Sequence, residues 1–136
     1  MLRKYMTIFA ACLSVMTFAA CTEAGSGTSP DDNSYVSITQ EEAKHIMDTE
    51  ENYIILDVRT QEEYEQGHIP NAILIPDTEI NEKAESILTD KNQLILVYCR
   101  SGRRSKNVSA ILEKKGYTNI KEFGGIIDWQ YETEIS

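Results

Sequence analysis

The chain has 136 residues, with 13 basic against 22 acidic side chains and a formal charge of −9. An apolar fraction of 41% and a charged fraction of 26% are ordinary for a folded protein, and the length leaves room for one domain with a real core. So acidic a chain excludes general nucleic-acid binding and attachment to membranes through a polybasic surface.

The first segment reads as an address. Arg3 and Lys4 form a basic start, Tyr5 to Ala20 is mostly apolar and uncharged, and Phe18-Ala19-Ala20-Cys21 places small residues before a cysteine. This pattern resembles a bacterial lipoprotein signal, in which the cysteine is lipidated and becomes the new N-terminus. Phe18 stands where that family usually has Leu. Phe9-Ala10-Ala11-Cys12 repeats the same four letters, but the apolar stretch before it is too short. An uncleaved membrane helix is the alternative. Sixteen residues of helix span about 24 Å, short of a hydrocarbon core of about 30 Å. Residues 1–20 are therefore expected to be a signal peptide. Residues 21–34, rich in Gly, Ser, Thr and Asp, are expected to form a flexible tether starting at a lipidated Cys21. That implies an exported protein held on the outer side of a bacterial membrane. Removing Arg3 and Lys4 with the signal leaves 11 basic and 22 acidic residues, a charge of −11.

From Tyr35 to Ser136 strand and helix signals alternate. Tyr35 to Ile38 is a short strand. Thr39-Gln40-Glu41-Glu42 is a capping box, and Ala43, Ile46 and Met47 then share one helix face, with His45 on the polar side. Tyr53 to Leu56 is a continuous apolar run, as expected of a strand buried on both faces. Thr60-Gln61-Glu62-Glu63 is a second capping box opening a short helix that ends near Gly67. Ala72 to Ile75 is a strand closed by Pro76, and residues 78–88 give a weaker helix. Gln93 to Tyr98 is the strongest buried strand. Ser105 to Lys115 predicts a helix with Val108, Ile111 and Leu112 inward and Gly116 as its stop. Ile120 to Phe123 is a last strand, and Gly124-Gly125 leads into a helix carrying Ile126, Ile127 and Trp129. The alternation predicts an α/β domain with a mainly parallel sheet and helices on both faces.

Ligands of such sheets sit beyond the carboxyl ends of the strands. Two segments end strands with chemically capable residues: Asp57-Val58-Arg59, and Cys99-Arg100-Ser101-Gly102-Arg103-Arg104-Ser105. The three cysteines, Cys12, Cys21 and Cys99, fit no zinc spacing, and no metal or other cofactor is expected. With Cys12 removed and Cys21 lipidated, Cys99 is a free thiol between a buried strand and a helix. The loop after it holds a glycine and three arginines, and a loop of this kind can turn several backbone N–H groups toward one point. That favours an anion, so the thiol is expected to ionise more readily than a free cysteine, at about 8.5. A thiolate there can attack a polarised sulfur, as in thiosulfate, and keep it as a persulfide for a second nucleophile. A buried, inert cysteine is the plain alternative, but it requires no cationic loop.

The loop from Cys99 to Ser105 resembles the active-site loop of single-domain bacterial rhodaneses. So do Asp57-Val58-Arg59, Glu63-Tyr64, Gly67-His68-Ile69-Pro70-Asn71-Ala72, Ile75-Pro76, Gly116-Tyr117, Gly124-Gly125-Ile126 and Trp129, in order across about residues 35–133. Pro70-Asn71 departs from the usual small residues there. The resemblance implies a five-stranded parallel sheet, Cys99 as sulfur acceptor, and Arg100, Ser101, Gly102, Arg103 and Arg104 as a cradle for a small anionic sulfur donor. A thiol or cyanide would be the acceptor. Asp57, Arg59 and Ser105 are expected to support the site, His68 to pack, and Trp129 to cover the core.

Three rivals differ in mechanism. Phosphatases of related fold place five residues between cysteine and arginine; here four separate Cys99 from Arg104, Ser105 stands at the arginine position, and Tyr98 precedes the cysteine in place of histidine. A non-enzymatic binding module would have no use for the cysteine. A sulfur carrier handing its sulfur to another protein would look the same in sequence.

Overall fold

The computed structural model describes residues 35–136; the expected signal peptide, tether and Cys21 lie outside the described residues. The elements follow in the order β1 (Val36–Ser37), α1 (Gln40–Thr49), β2 (Tyr53–Asp57), α2 (Gln61–Glu65), β3 (Ile73–Leu74), α3 (Ile80–Ile87), β4 (Leu94–Cys99), α4 (Arg103–Lys114) and β5 (Ile120–Gly125). One five-stranded sheet has the order β1-β5-β4-β2-β3, and every pairing is parallel.

Local chemistry explains where the first helices begin. Both capping boxes form: the Thr39 hydroxyl accepts the Glu42 N–H while Glu42 accepts the Thr39 N–H, and Thr60 and Glu63 do the same. These bonds satisfy helix N–H groups that have no carbonyl partner.

The central strand β4 shows how the two layers are built. Ile95, Val97 and Cys99 point to one face and Leu96 and Tyr98 to the other, by the two-residue alternation of an extended chain. The first face packs with Ile80 and Ala84 of α3 and Val108 and Leu112 of α4. The second packs with Ala43 of α1, Tyr64 of α2 and Trp129. Each large apolar side chain so buried contributes roughly 1.5–3 kcal/mol. A strand covered on both sides reads as an unbroken apolar run, which is what residues 94–98 are.

Three sequence expectations are corrected. The helix after the cysteine loop starts at Arg103, not Ser105, because Gly102 caps it at φ 99°, a left-handed turn that glycine enters without a Cβ penalty. Arg103 and Arg104 therefore belong to its first turn. The segment after Gly125 is a single 3-10 turn, Ile126–Asp128, with Ile127 61% exposed, and Trp129 follows outside it. Gly124 and Gly125 are themselves strand residues. Cys99 pairs with Gly125 while Val97 pairs with Glu122, so β5 carries one extra residue in a bulge beside the end of β4.

Candidate active site

The carboxyl ends of β2 and β4 lie side by side, with Asp57 in register with Tyr98. The two segments singled out from sequence thus meet at one edge of the sheet.

Cys99 is the last residue of β4 and is 1% exposed. Its Sγ accepts the Gly102 N–H at 3.0 Å and lies 3.5 Å from Ser105 Oγ. Burial pushes the thiol up. The Ser105 hydroxyl and the N–H groups of Ser105, Gly102 and Ser101 outweigh it, and the thiol is held below its ordinary value. The N-terminal pole of α4 acts in the same direction. The tight loop is closed from below by β5. A Cβ on Gly125 would stand 2.1 Å from the Arg100 carbonyl oxygen and 2.5 Å from Ser101 Cα, so the loop backbone passes where only glycine leaves space. The Ile127 N–H also donates to the Arg100 carbonyl at 3.2 Å.

The three arginines separate. Arg104 turns its fork onto Glu63, with Nη1 and Nη2 each 2.8 Å from a carboxylate oxygen. This pair, reinforced by the capping bond from Thr60, brings the Glu63 carboxyl down to about 2. Arg104 therefore ties α4 to α2, and its charge faces Cys99 without the fork being free. Arg100 and Arg103 are exposed at the loop and the start of α4. Beside the loop a cavity of about 290 Å³ opens between Arg59, Arg100, Ile126 and Ile127, wide enough for a small anion.

Asp57 and Arg59 form a buried pair behind this cavity. Arg59 Nη2 is 2.6 Å from Asp57 Oδ2, and it also donates to the Gly67 carbonyl at 2.8 Å. The Tyr98 hydroxyl donates to the same Asp57 oxygen at 2.5 Å and accepts the Ile69 N–H at 3.1 Å. Burial and the Asp57 carboxylate push the Tyr98 phenol far up, so it stays a donor. The network links β2, β4 and the segment from Gly67 to Ile69. Asp57→Ala leaves a buried guanidinium unpaired and is expected to cost about 3–5 kcal/mol, measured by denaturant unfolding. His68 is buried, stacked on Tyr64 at 3.7 Å between ring centroids, with Nδ1 2.9 Å from the Tyr64 carbonyl and Nε2 3.3 Å from Glu134. Both ring nitrogens are thus engaged in packing contacts.

Sequence reasoning missed Glu63 as the partner of Arg104, Glu122, and the steric role of Gly125. Strand parity carried a signal for the second: Glu122 is two residues from Ile120 and so shares its face, the one covered by α4. No short-range pattern marked the other two.

A profile of the Rhodanese-like domain matches residues 39–132. The chain is 41% identical over 73 residues to "Thiosulfate sulfurtransferase PspE" of Escherichia coli K12, covering 54% of this chain and 70% of that protein. It is 35% identical over 113 residues to "Putative sulfur carrier protein YrkF" of Bacillus subtilis, covering 82% of this chain but only 60% of that relative's length. Among solved structures, a rhodanese-like domain protein from Staphylococcus aureus superposes with a TM-score of 0.66 at 37% identity, covering 74% of this chain and 98% of that one.

Proposed function

The chain belongs to the rhodanese-like domain family, whose members related to it include sulfurtransferases and a sulfur carrier, and from that premise we propose that it is a sulfurtransferase working through a persulfide on Cys99. The observation that carries this is the placement of Cys99 Sγ at the N-terminus of α4, under the Gly102 N–H at 3.0 Å. The thiolate attacks the outer sulfur of a donor such as thiosulfate. A new S–S bond forms at Sγ as the donor's S–S bond breaks, its electron pair leaving on sulfite. A thiol or cyanide then attacks the outer sulfur of the persulfide and returns Cys99 as thiolate. The backbone N–H groups stabilise charge on Sγ at both stages without having to reorganise. The exposed Arg100 and Arg103 supply the attraction for the donor's negative oxygens.

The test is a mass spectrum of the Cys99 peptide after thiosulfate treatment, run beside an assay of aryl phosphate hydrolysis. A gain of one sulfur with negligible phosphate release supports the proposal; an unmodified Cys99 rejects it. The phosphatase alternative is disfavoured by more than spacing. A phosphatase arginine must fork around the phosphoryl oxygens, and the fork of Arg104 is occupied by Glu63. The carrier reading is favoured by the name of one relative. It separates from turnover by whether the persulfide passes only to a protein thiol or equally to cyanide.

The same proposal places the protein outside the cytoplasm, held by lipid on Cys21. It rests on the N-terminal pattern alone. Cys21→Ala is expected to move the protein from the membrane fraction to the soluble one; retention of the variant in the membrane rejects lipidation.

A further inference from the structure

Two carboxylates are deeply buried among the described residues, and they are held differently. Asp57 has Arg59. Glu122, 2% exposed, has no basic side chain within ion-pair distance among the described residues. It accepts the Ser105 hydroxyl at 2.6 Å and the Gly124 N–H at 2.8 Å on one oxygen, and the Ser37 hydroxyl at 3.2 Å on the other. A buried carboxylate without a cation is costly, and this one stands a single hydroxyl away from the Cys99 sulfur.

That hydroxyl has one proton and several claims on it. Ser105 Oγ lies 2.6 Å from Glu122 Oε1, 3.0 Å from the Gly102 carbonyl, and 3.5 Å from both the Gly124 carbonyl and Cys99 Sγ. The contact to the carboxylate is the shortest and is charge-assisted, so the proton rests there. Ser105 then offers Cys99 a lone pair, which a thiol S–H can use and a thiolate cannot. We propose that Glu122 is a positioning residue that acts on Cys99 through Ser105, competing with the sulfur for the Ser105 proton and so limiting the help that the hydroxyl gives the thiolate.

The inference rests on the sulfur-transfer reading of Cys99 and gives it a timing device. When the thiol ionises, its proton goes to solvent and the Ser105 O–H turns from Glu122 to Sγ; Glu122 keeps the Gly124 and Ser37 donors. In the persulfide, Sγ is bonded to the outer sulfur, and the hydroxyl returns to Glu122. When the acceptor removes that sulfur, Sγ departs as a thiolate and the hydroxyl turns back. Ser105 thus supports Sγ at the stages where Sγ carries charge. Among the described residues, other charged groups stand near the loop, and Asp128 on the 3-10 turn lines the same cavity as Lys106. On α4 they are Arg103 in the exposed first turn, Arg104, held by Glu63 and facing Asp77, and Lys106 on the wall of a cavity behind the loop. Arg100 lies in the loop itself. β1 presents Ser37, and on β2 Asp57 is already paired.

The test is the pH profile of Cys99 alkylation by iodoacetamide on the full chain, read on the Cys99 peptide. Glu122→Gln is expected to move the midpoint down by about one unit, roughly a tenfold gain in thiolate below it. Ser105→Ala is expected to move it up. In the Ser105→Ala background Glu122→Gln is expected to do nothing, since the two act along one path. An unmoved midpoint in Glu122→Gln overturns the proposal. So does an equal shift in the Ser105→Ala background, which would make Glu122 a bare charge acting through space. Glu122→Asp guards against a Gln variant that fails to fold. It keeps the charge and withdraws it from Ser105, so this mechanism lowers the midpoint and a bare charge leaves it in place. Alkylation reads the thiol whether or not thiosulfate is a donor. Variants that show these shifts, beside a wild type that transfers no sulfur, would therefore sink the function and leave the positioning role standing.

Discussion

Cys99→Ser is expected to fold normally and to transfer sulfur no faster than the uncatalysed reaction. The serine oxygen can still accept the Gly102 N–H that Sγ accepts at 3.0 Å, so the loop keeps its closing bond and stability should fall by no more than about 1 kcal/mol. What is lost is chemistry. A serine hydroxyl is not ionised by these donors, and oxygen forms no persulfide. Thiosulfate:cyanide sulfurtransfer with thermal unfolding as the companion measurement decides the matter. A serine variant that retains the wild-type rate removes Cys99 from the mechanism.

Gly125→Ala is the second large effect, and it acts without touching a reacting atom. The added Cβ meets the Arg100 carbonyl oxygen at 2.1 Å and its carbon at 2.5 Å. These are backbone atoms, so no side chain can swing aside and the loop itself must move. Overpacking of this kind costs about 1–3 kcal/mol. The larger consequence is kinetic. Shifting the Ser101 and Gly102 N–H groups by about 1 Å takes them off Sγ, a misplacement worth about 100-fold in rate. Ala110→Gly, in the middle of α4, provides the control. It lowers stability by about 1 kcal/mol through backbone entropy alone and is expected to leave the rate per folded molecule unchanged. If Gly125→Ala loses no more activity than Ala110→Gly, the close approach of β5 to the loop has no part in catalysis.

These two residues also mark how far sequence reasoning reaches. Cys99 was identifiable from its neighbours along the chain: a buried strand before it, a glycine and three arginines after it. Gly125 was visible as half of a Gly-Gly pair, but its reason was not, because the atoms it accommodates belong to a residue 25 positions earlier. The two arrive together only through the parallel pairing of β4 with β5 and the bulge that sets Cys99 against Gly125.

The sequence by itself determined whatever depends on hydrogen bonds and side-chain periodicity within about one helical turn or one strand. The Thr39–Glu42 and Thr60–Glu63 boxes are closed by residues three apart, and the unbroken apolar run of β4 announces a strand covered on both faces. It also gave the order of elements, hence the layered α/β fold, and the cysteine at a strand end. Only the tertiary structure decided how polar side chains are partnered. Glu63 already completes its box, and nothing nearby indicates that it also takes the fork of Arg104, 41 residues on. The spacing of Glu122 from Ile120 turns it inward, but its donors, Ser105 17 residues back among them, are set only when the layers pack. The left-handed Gly102 sets the start of α4 two residues early, and with it the aim of the N–H groups at Sγ. A backbone cap is a bargain between near neighbours, whereas a buried charge takes whichever partner the packed layers bring to it, and that partner is fixed by strand register and helix placement.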